Sequence, residues 1–209
     1  MIAKTSVNHN HTEPVGMRGN PRYALNFDDN FLWFVLFATY GKAAKICSLL
    51  EAAKIEHFYP VRYRARRIRG SERTRQTLEP VLSNFVFVKS SKEYLDRFLK
   101  GVKLQLKIKS GLFYRDLGSK EIMIVPETQM QNFIAIAGCS NKERIIYLSN
   151  REVDFQKGTR VQITGGAFEG VEGIFMRIKG DRRVVVTLTN LFSVATAFVP
   201  IEYIVPIEK

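Results

Sequence analysis

The chain has 209 residues, 45% of them hydrophobic and 25% charged, the composition of a globular protein with room for one large core or two small ones. Its net charge is +12, which points to an anionic partner such as nucleic acid. The excess is local: residues 31–137 hold 19 basic and 9 acidic side chains, whereas residues 155–209 hold 7 and 5. Two cysteines, Cys47 and Cys139, make neither a disulfide framework nor a zinc spacing. No stretch approaches the ~20 apolar residues that span a bilayer, so no membrane partner and a cytoplasmic location are expected.

Residues 1–30 are rich in Asn, Pro, Gly and His without periodicity and read as a flexible extension. Its His9 and His11 form an H-x-H pair with no further ligand nearby. Order begins at FLWFVLFAT (31–39), an aromatic-rich apolar run that fits a central strand. KAAKICSLLEAAK then sets Ala43, Ile46, Cys47, Leu50 and Ala53 at helical spacing.

IEHFYPVRYRARRI alternates, with Pro60 marking an irregularity at a sheet edge. Val61, Tyr63 and Ala65 share one face, and Arg62, Arg64 and Arg66 the other. The stretch RYRARRIRGSERTR holds seven arginines and a single acid, turns near Gly70 and sends Arg73 and Arg75 back. This predicts a twisted two-stranded arm, basic on one side. SNFVFVK is a second central strand.

SSKEYLDRFLKG follows, with Ser90 and Glu93 at capping-box spacing and Gly101 as the expected stop. VKLQLKIKSGLFYRD alternates around Ser110-Gly111, predicting a hairpin. VPETQMQNFIAIAG predicts a helix with Pro126 in its first turn and Met130, Phe133, Ile134 and Ala137 on one stripe. The expected order is β-α-β-β-β-α-β-β-α, an α+β layer of antiparallel sheet and helices over residues 31–138. Residues 139–154 read as a linker. Residues 155–209 show short strands, glycines and a Gly180-Asp181 turn, the pattern of a small, strongly bent all-β barrel.

No catalytic constellation assembles: there is no G-x-S-x-G, no H-E-x-x-H and no paired cysteine spacing. TGGAFEGVEG lacks the lysine and hydroxyl ending of a P-loop. Neither an enzyme nor a cofactor is expected. The arm carries more information. Rows of arginine forks match phosphate oxygens and position a protein without reading sequence; charged hairpins also serve simply to block edge pairing. Phe31, Trp33, Phe34, Phe37, Phe85 and Phe87 crowd two strands. Either all of them are core, or Phe37, Leu82, Phe85 and Phe87 leave an open apolar patch of the kind that docks proteins.

The order of parts carries a resemblance. An aromatic strand around Trp33, a helix, a basic arm, S-N-F-V-F-V and a helix with K-G-V come first; a linker and K-G-T-R-V-Q-I-T-G-G-A-F-E-G-V-E-G follow. Over residues 31–209 the chain resembles the NusG family of transcription elongation factors, an NGN domain followed by a KOW domain. EPVLSNFVFV is similar to the specialised RfaH- and UpxY-type antiterminators of capsular-polysaccharide operons, with Ser83 where a proline is usual. The general elongation factor is the nearest alternative, and a ribosome-associated KOW protein that binds RNA a more distant one.

The resemblance implies that Phe37, Leu82, Phe85 and Phe87 dock on the clamp helices of the largest RNA polymerase subunit. It implies that Lys100 approaches the non-template DNA strand, and that an arm with Arg62, Arg64, Arg66, Arg67, Arg69 and Arg73 lies near upstream DNA. Thr39 and Tyr40 stand where specialised relatives carry a basic residue. Gly165, Gly166 and Phe168 resemble the KOW site for termination factor Rho or a small-subunit ribosomal protein. A monomer is expected.

Overall fold

The computed structural model describes residues 31–39, 41–138, 145–148, 158–188 and 191–207. The expected extension 1–30, with His9 and His11, lies outside the described residues, as does most of the expected linker.

The first sheet is built from the two apolar runs. β1 (Leu32–Phe37) pairs antiparallel with β5 (Phe85–Ser90), with Phe37 opposite Phe85 and Val35 opposite Phe87. β2 (His57–Phe58) and β6 (Ile124–Val125) complete it in the order β2-β5-β1-β6. Because side chains alternate along a strand, the sheet has two distinct apolar faces. One buries Phe34, Leu36, Val86 and Val88 beneath α1 (Ala43–Ala52) and α2 (Lys92–Gln105). The other presents Trp33, Val35 and Phe87 to α3 (Glu127–Gly138), whose stripe of Met130, Phe133, Ile136 and Ala137 is buried.

α2 differs from its expected form at both ends. Its N-cap is Ser91, whose hydroxyl accepts from the Tyr94 N–H at 3.3 Å, so the capping box expected between Ser90 and Glu93 does not form. Ser90 instead closes β5. The helix also runs through Gly101 to Gln105, over residues expected to start a hairpin. The reason is that Leu95, Leu99 and Val102 continue a helical stripe into the sheet, while the coincident alternation leaves Leu104 exposed. The turn comes later, where bridges join Leu36 to Phe113 and Arg115 to Ile122. There the Asp116 carboxylate accepts the Gly118 and Ser119 N–H groups, and these bonds lower its pKa from the ordinary carboxylate value.

α1 and α2 end on the same device. Lys54 and Lys107 take positive φ of 56° and 51°, and the following Ile55 and Ile108 donate back to Leu50 and Lys103 at 2.9 Å. These are Schellman closures with lysine where glycine is usual. Gly101 has open space where a Cβ would stand and sits exposed inside the helix. Gly101→Ala should therefore raise stability by up to about 1 kcal/mol, read as a higher urea midpoint with an unchanged slope.

β3 (Val61–Arg67) and β4 (Thr74–Pro80) form the separate two-stranded arm, with Pro60 between it and β2. Gly70 turns its tip at φ 80°.

The second sheet contains β8 (Thr159–Ile163), β9 (Glu172–Ile178), β10 (Asp181–Leu188), β11 (Phe192–Ala195) and β12 (Ile204–Pro206). Its sixth strand, β7 (Ile146–Leu148), comes from the stretch read as linker and pairs with β11. The order β12-β8-β9-β10-β11-β7 is open: among the described residues no pairing joins β12 to β7, so the expected barrel is not closed. Gly173 is required bare, since a Cβ there would stand 2.6 Å from the Val185 carbonyl oxygen.

The two sheets share a core. Val161, Ile163, Val184, Val186, Phe192 and Val194 pack in one cluster with Phe87, Met130 and Phe133. The Asn132 side chain on α3 makes both bonds to the backbone of Glu172, donating to its carbonyl at 3.2 Å and accepting its N–H at 3.4 Å.

Candidate protein-docking face and nucleic-acid interface

Of the four apolar residues expected on one face, the structure groups three and seals the fourth. Phe37 and Phe85 are cross-strand neighbours with ring centroids 5.3 Å apart. Tyr114 closes a triangle at 6.0 Å from Phe37 and 5.2 Å from Phe85. All three are half-buried, and Leu82 packs at the same margin of the core. Tyr114 is not singled out by sequence, because the stretch around it alternates like an ordinary hairpin. Its position is set by the Tyr114 N–H donating to the Val35 carbonyl at 2.8 Å.

Phe87 is a correction to the expected open patch. It is 0% exposed, held edge-on by Phe133 at 5.5 Å and by Phe192 at 6.3 Å. Phe133 in turn meets Phe58 at 5.4 Å and Phe192 at 5.2 Å. The physical reason is that α3 covers this face first and β11 then covers α3. The apolar surface is thus one continuous aromatic field, half open at Phe37, Phe85 and Tyr114 and closed at Phe87.

The arm stands beside it, joined through Val81 and Leu82. Arg62, Arg64, Arg66, Arg67, Arg69 and Arg73 are all exposed. Register places Arg62 opposite Glu79, Arg64 opposite Thr77 and Arg66 opposite Arg75, all on one side. Tyr63, exposed, and Ala65 take the other side. The Glu79 carboxylate accepts a hydrogen bond from Nε of Arg66 and stands 3.6 Å from Nη1 of Arg64. The bond from Arg66, with the charges of Arg66 and Arg64, lowers the Glu79 pKa from its ordinary value. Among the described residues Arg62, Arg67, Arg69, Arg73 and Arg75 make no ion pair. Lys100 is exposed on α2.

In the second sheet the expected partner loop is occupied by the protein itself. Phe168 is buried. The Tyr203 ring lies over Gly165, where a Cβ would come within 2.9 Å of it, and the Thr164 N–H donates to the Tyr203 carbonyl at 2.8 Å. Gly166 takes a φ of 81°.

Cys47 is partly buried on α1, and desolvation pushes its thiol up to about 12, leaving it neutral and unreactive at physiological pH. Among the described residues no three His, Cys, Asp or Glu side chains gather to hold a metal, and no helix is long and apolar enough to cross a membrane.

No curated protein matches the chain. A solved structure described as "Domain interaction in Thermotoga maritima NusG" is similar at a TM-score of 0.41 and 20% identity, over 85% of this chain and 98% of that one. Residues 31–134 match the family model described as "Transcription termination factor nusG", a family of non-enzymatic transcription factors that bind RNA polymerase. The span from the aromatic β1 to the Phe133 stripe of α3 is therefore a NusG family domain.

Proposed function

We propose that the protein is a transcription elongation and antitermination factor that docks on RNA polymerase through the aromatic margin Phe37, Leu82, Phe85 and Tyr114. The basic side of the arm then follows nucleic acid leaving the enzyme. The observation that carries this reading is that the arginine ribbon runs through Val81 and Leu82 directly into β5, whose Phe85 forms a half-open aromatic triangle with Phe37 and Tyr114. A truncatable aromatic cluster is the usual anchor of a protein interface, and arginine forks supply phosphate contacts that give no sequence preference.

The finer reading is a specialised factor for one long operon, of the polysaccharide-biosynthesis kind, that grips the clamp helices of the largest subunit. Lys100 faces the non-template strand in this reading. By bridging the cleft without covalent chemistry, the factor disfavours pausing and lets transcription run on. The second sheet, a KOW domain in this reading, would meet Rho or a ribosomal protein through its Gly165-Gly166 and Phe168 region only once Tyr203 moves off Gly165 and Phe168 is uncovered. Because Phe87 and Phe133 are covered by β11, they can join the docking face only when the second sheet leaves α3.

The test is co-purification with RNA polymerase, followed by sequencing of nascent transcripts with and without the protein. Read-through confined to one operon supports the specialised reading, and a genome-wide change supports the general one. Ribosome cosedimentation without polymerase would defeat both. Arg64→Glu with Arg66→Glu should flatten the log–log salt dependence of DNA binding by about two units, at ~0.9 for each phosphate the arm no longer neutralises. An unaltered slope would take the arm off the DNA-binding surface.

A further inference from the structure

One acid stands on the basic side of the arm, and its placement does more than balance charge. Along β3, alternate residues are about 6.7 Å apart, so Arg62, Arg64 and Arg66 form an evenly spaced row. Arg66 and Arg75 are direct cross-strand partners, a like-charge pair that weakens an isolated ribbon. Both Arg64 and Arg66 nevertheless lean toward the arm's base, where Glu79 lies opposite Arg62. Arg66 thus reaches past its own partner position to a carboxylate four residues further along β4. The two arginine side chains remain 62% and 66% exposed, while that of Glu79 is only 18% exposed. The forks are therefore offered to solvent with one carboxylate already seated beneath them.

We propose that Glu79 is an internal stand-in for phosphate, holding the forks of Arg64 and Arg66 in the free protein and yielding them to a nucleic-acid phosphate on binding. This rests on the reading of the arm as a nucleic-acid surface and adds its regulation. An exposed ion pair contributes little net free energy, so displacement is easy. A phosphate oxygen accepts the same paired N–H donors. Until then the carboxylate holds the Arg66 Nε–H in a hydrogen bond, pairs with the Arg64 guanidinium at 3.6 Å and repels the incoming backbone. Stray DNA, which offers only phosphates, meets a ribbon with part of its donors engaged. DNA held in place by a docked polymerase is presented at high local concentration and wins the exchange. The device lowers the affinity for nucleic acid away from polymerase while leaving every arginine available in the final complex.

The experiment uses the full chain and a fluorescently labelled short DNA duplex, with anisotropy followed across a salt series. Glu79→Gln should bind severalfold tighter at low salt, with a log–log salt slope at least as steep as the parent's, because the forks reach phosphate in both complexes. In an Arg64→Gln, Arg66→Gln background the same change should give no gain. An unchanged affinity overturns the inference. A weaker one does so too, by making Glu79 a residue that positions the arginines for binding. A gain that persists without Arg64 and Arg66 also overturns it, because loss of any distant negative charge would then suffice. Arg62→Gln with Arg73→Gln, which leaves the Glu79 pairs intact, separates the role of the arm from the role of the acid. If that variant binds DNA as the parent does, the arm reading fails and the Glu79 inference with it. If it binds more weakly while Glu79→Gln changes nothing, only the Glu79 inference falls.

Discussion

Phe133→Ala should cost about 3–5 kcal/mol of stability, the range for emptying a fully packed phenylalanine site. The ring is 0% exposed and is in edge contact with Phe58, Phe87 and Phe192, so no neighbour is free to fill the gap. Those three rings come from β2, β5 and β11, that is, from both sheets. Urea unfolding followed by circular dichroism measures the loss as a lower midpoint. A cost below about 1 kcal/mol would show that the two sheets do not share this core. Phe192→Ala separates the contributions, because it removes only the second sheet's ring. It should loosen that sheet from α3 while β1 and β5 keep their helices, and polymerase capture should then rise.

Phe85→Ala should weaken polymerase binding by about 30-fold or more, the scale of a central aromatic anchor worth ~2 kcal/mol. Its ring is half-buried at the open end of the aromatic field and touches Phe37 and Tyr114, so the variant should still unfold cooperatively. Titration of immobilised polymerase with the variant and the parent gives the ratio. Equal binding would remove the Phe37–Phe85–Tyr114 triangle from the interface. The contrast with Phe87 is informative. Two residues away on the same strand and face, it is sealed, and its truncation should act on stability first.

That contrast also marks how far the sequence could be read. Continuous apolar runs in FLWFVLF and FVFV marked the two central strands, and the two-residue period of any strand gave the split of their side chains between faces. The arginine alternation marked the arm, its turn at Gly70 and its basic side. Helical spacing marked α3 and its Met130 and Phe133 stripe. Elsewhere two periodicities overlapped. In residues 102–108 the alternation of Val102, Leu104 and Leu106 competed with the stripe of Leu95, Leu99 and Val102, and burial decided for the helix. Lysine in the left-handed closing position of α2 hid that helix end, since glycine is the expected signal and Gly101 supplied a false one, whereas the end of α1 at Lys54 was legible from its stripe. The short β7 offered only three residues, and its pairing with β11 is a long-range event with no local mark. The covering of Phe87 was equally illegible, because an apolar face looks the same in sequence whether its own helix, a second sheet or another protein closes it. The Arg64–Glu79–Arg66 group escaped notice because its members meet only through the register of the two strands.

Trp33 gives the molecule a built-in optical reporter. It is the chain's single tryptophan and sits 2% exposed in the core shared by both sheets. Among the described residues its indole N–H has no hydrogen-bond partner. It also lies opposite Val125, two residues before α3 begins. All indole emission from this protein therefore comes from one buried site with the Lys89 ammonium 5.9 Å from the ring centroid, and a red shift would report water reaching the seam beneath α3.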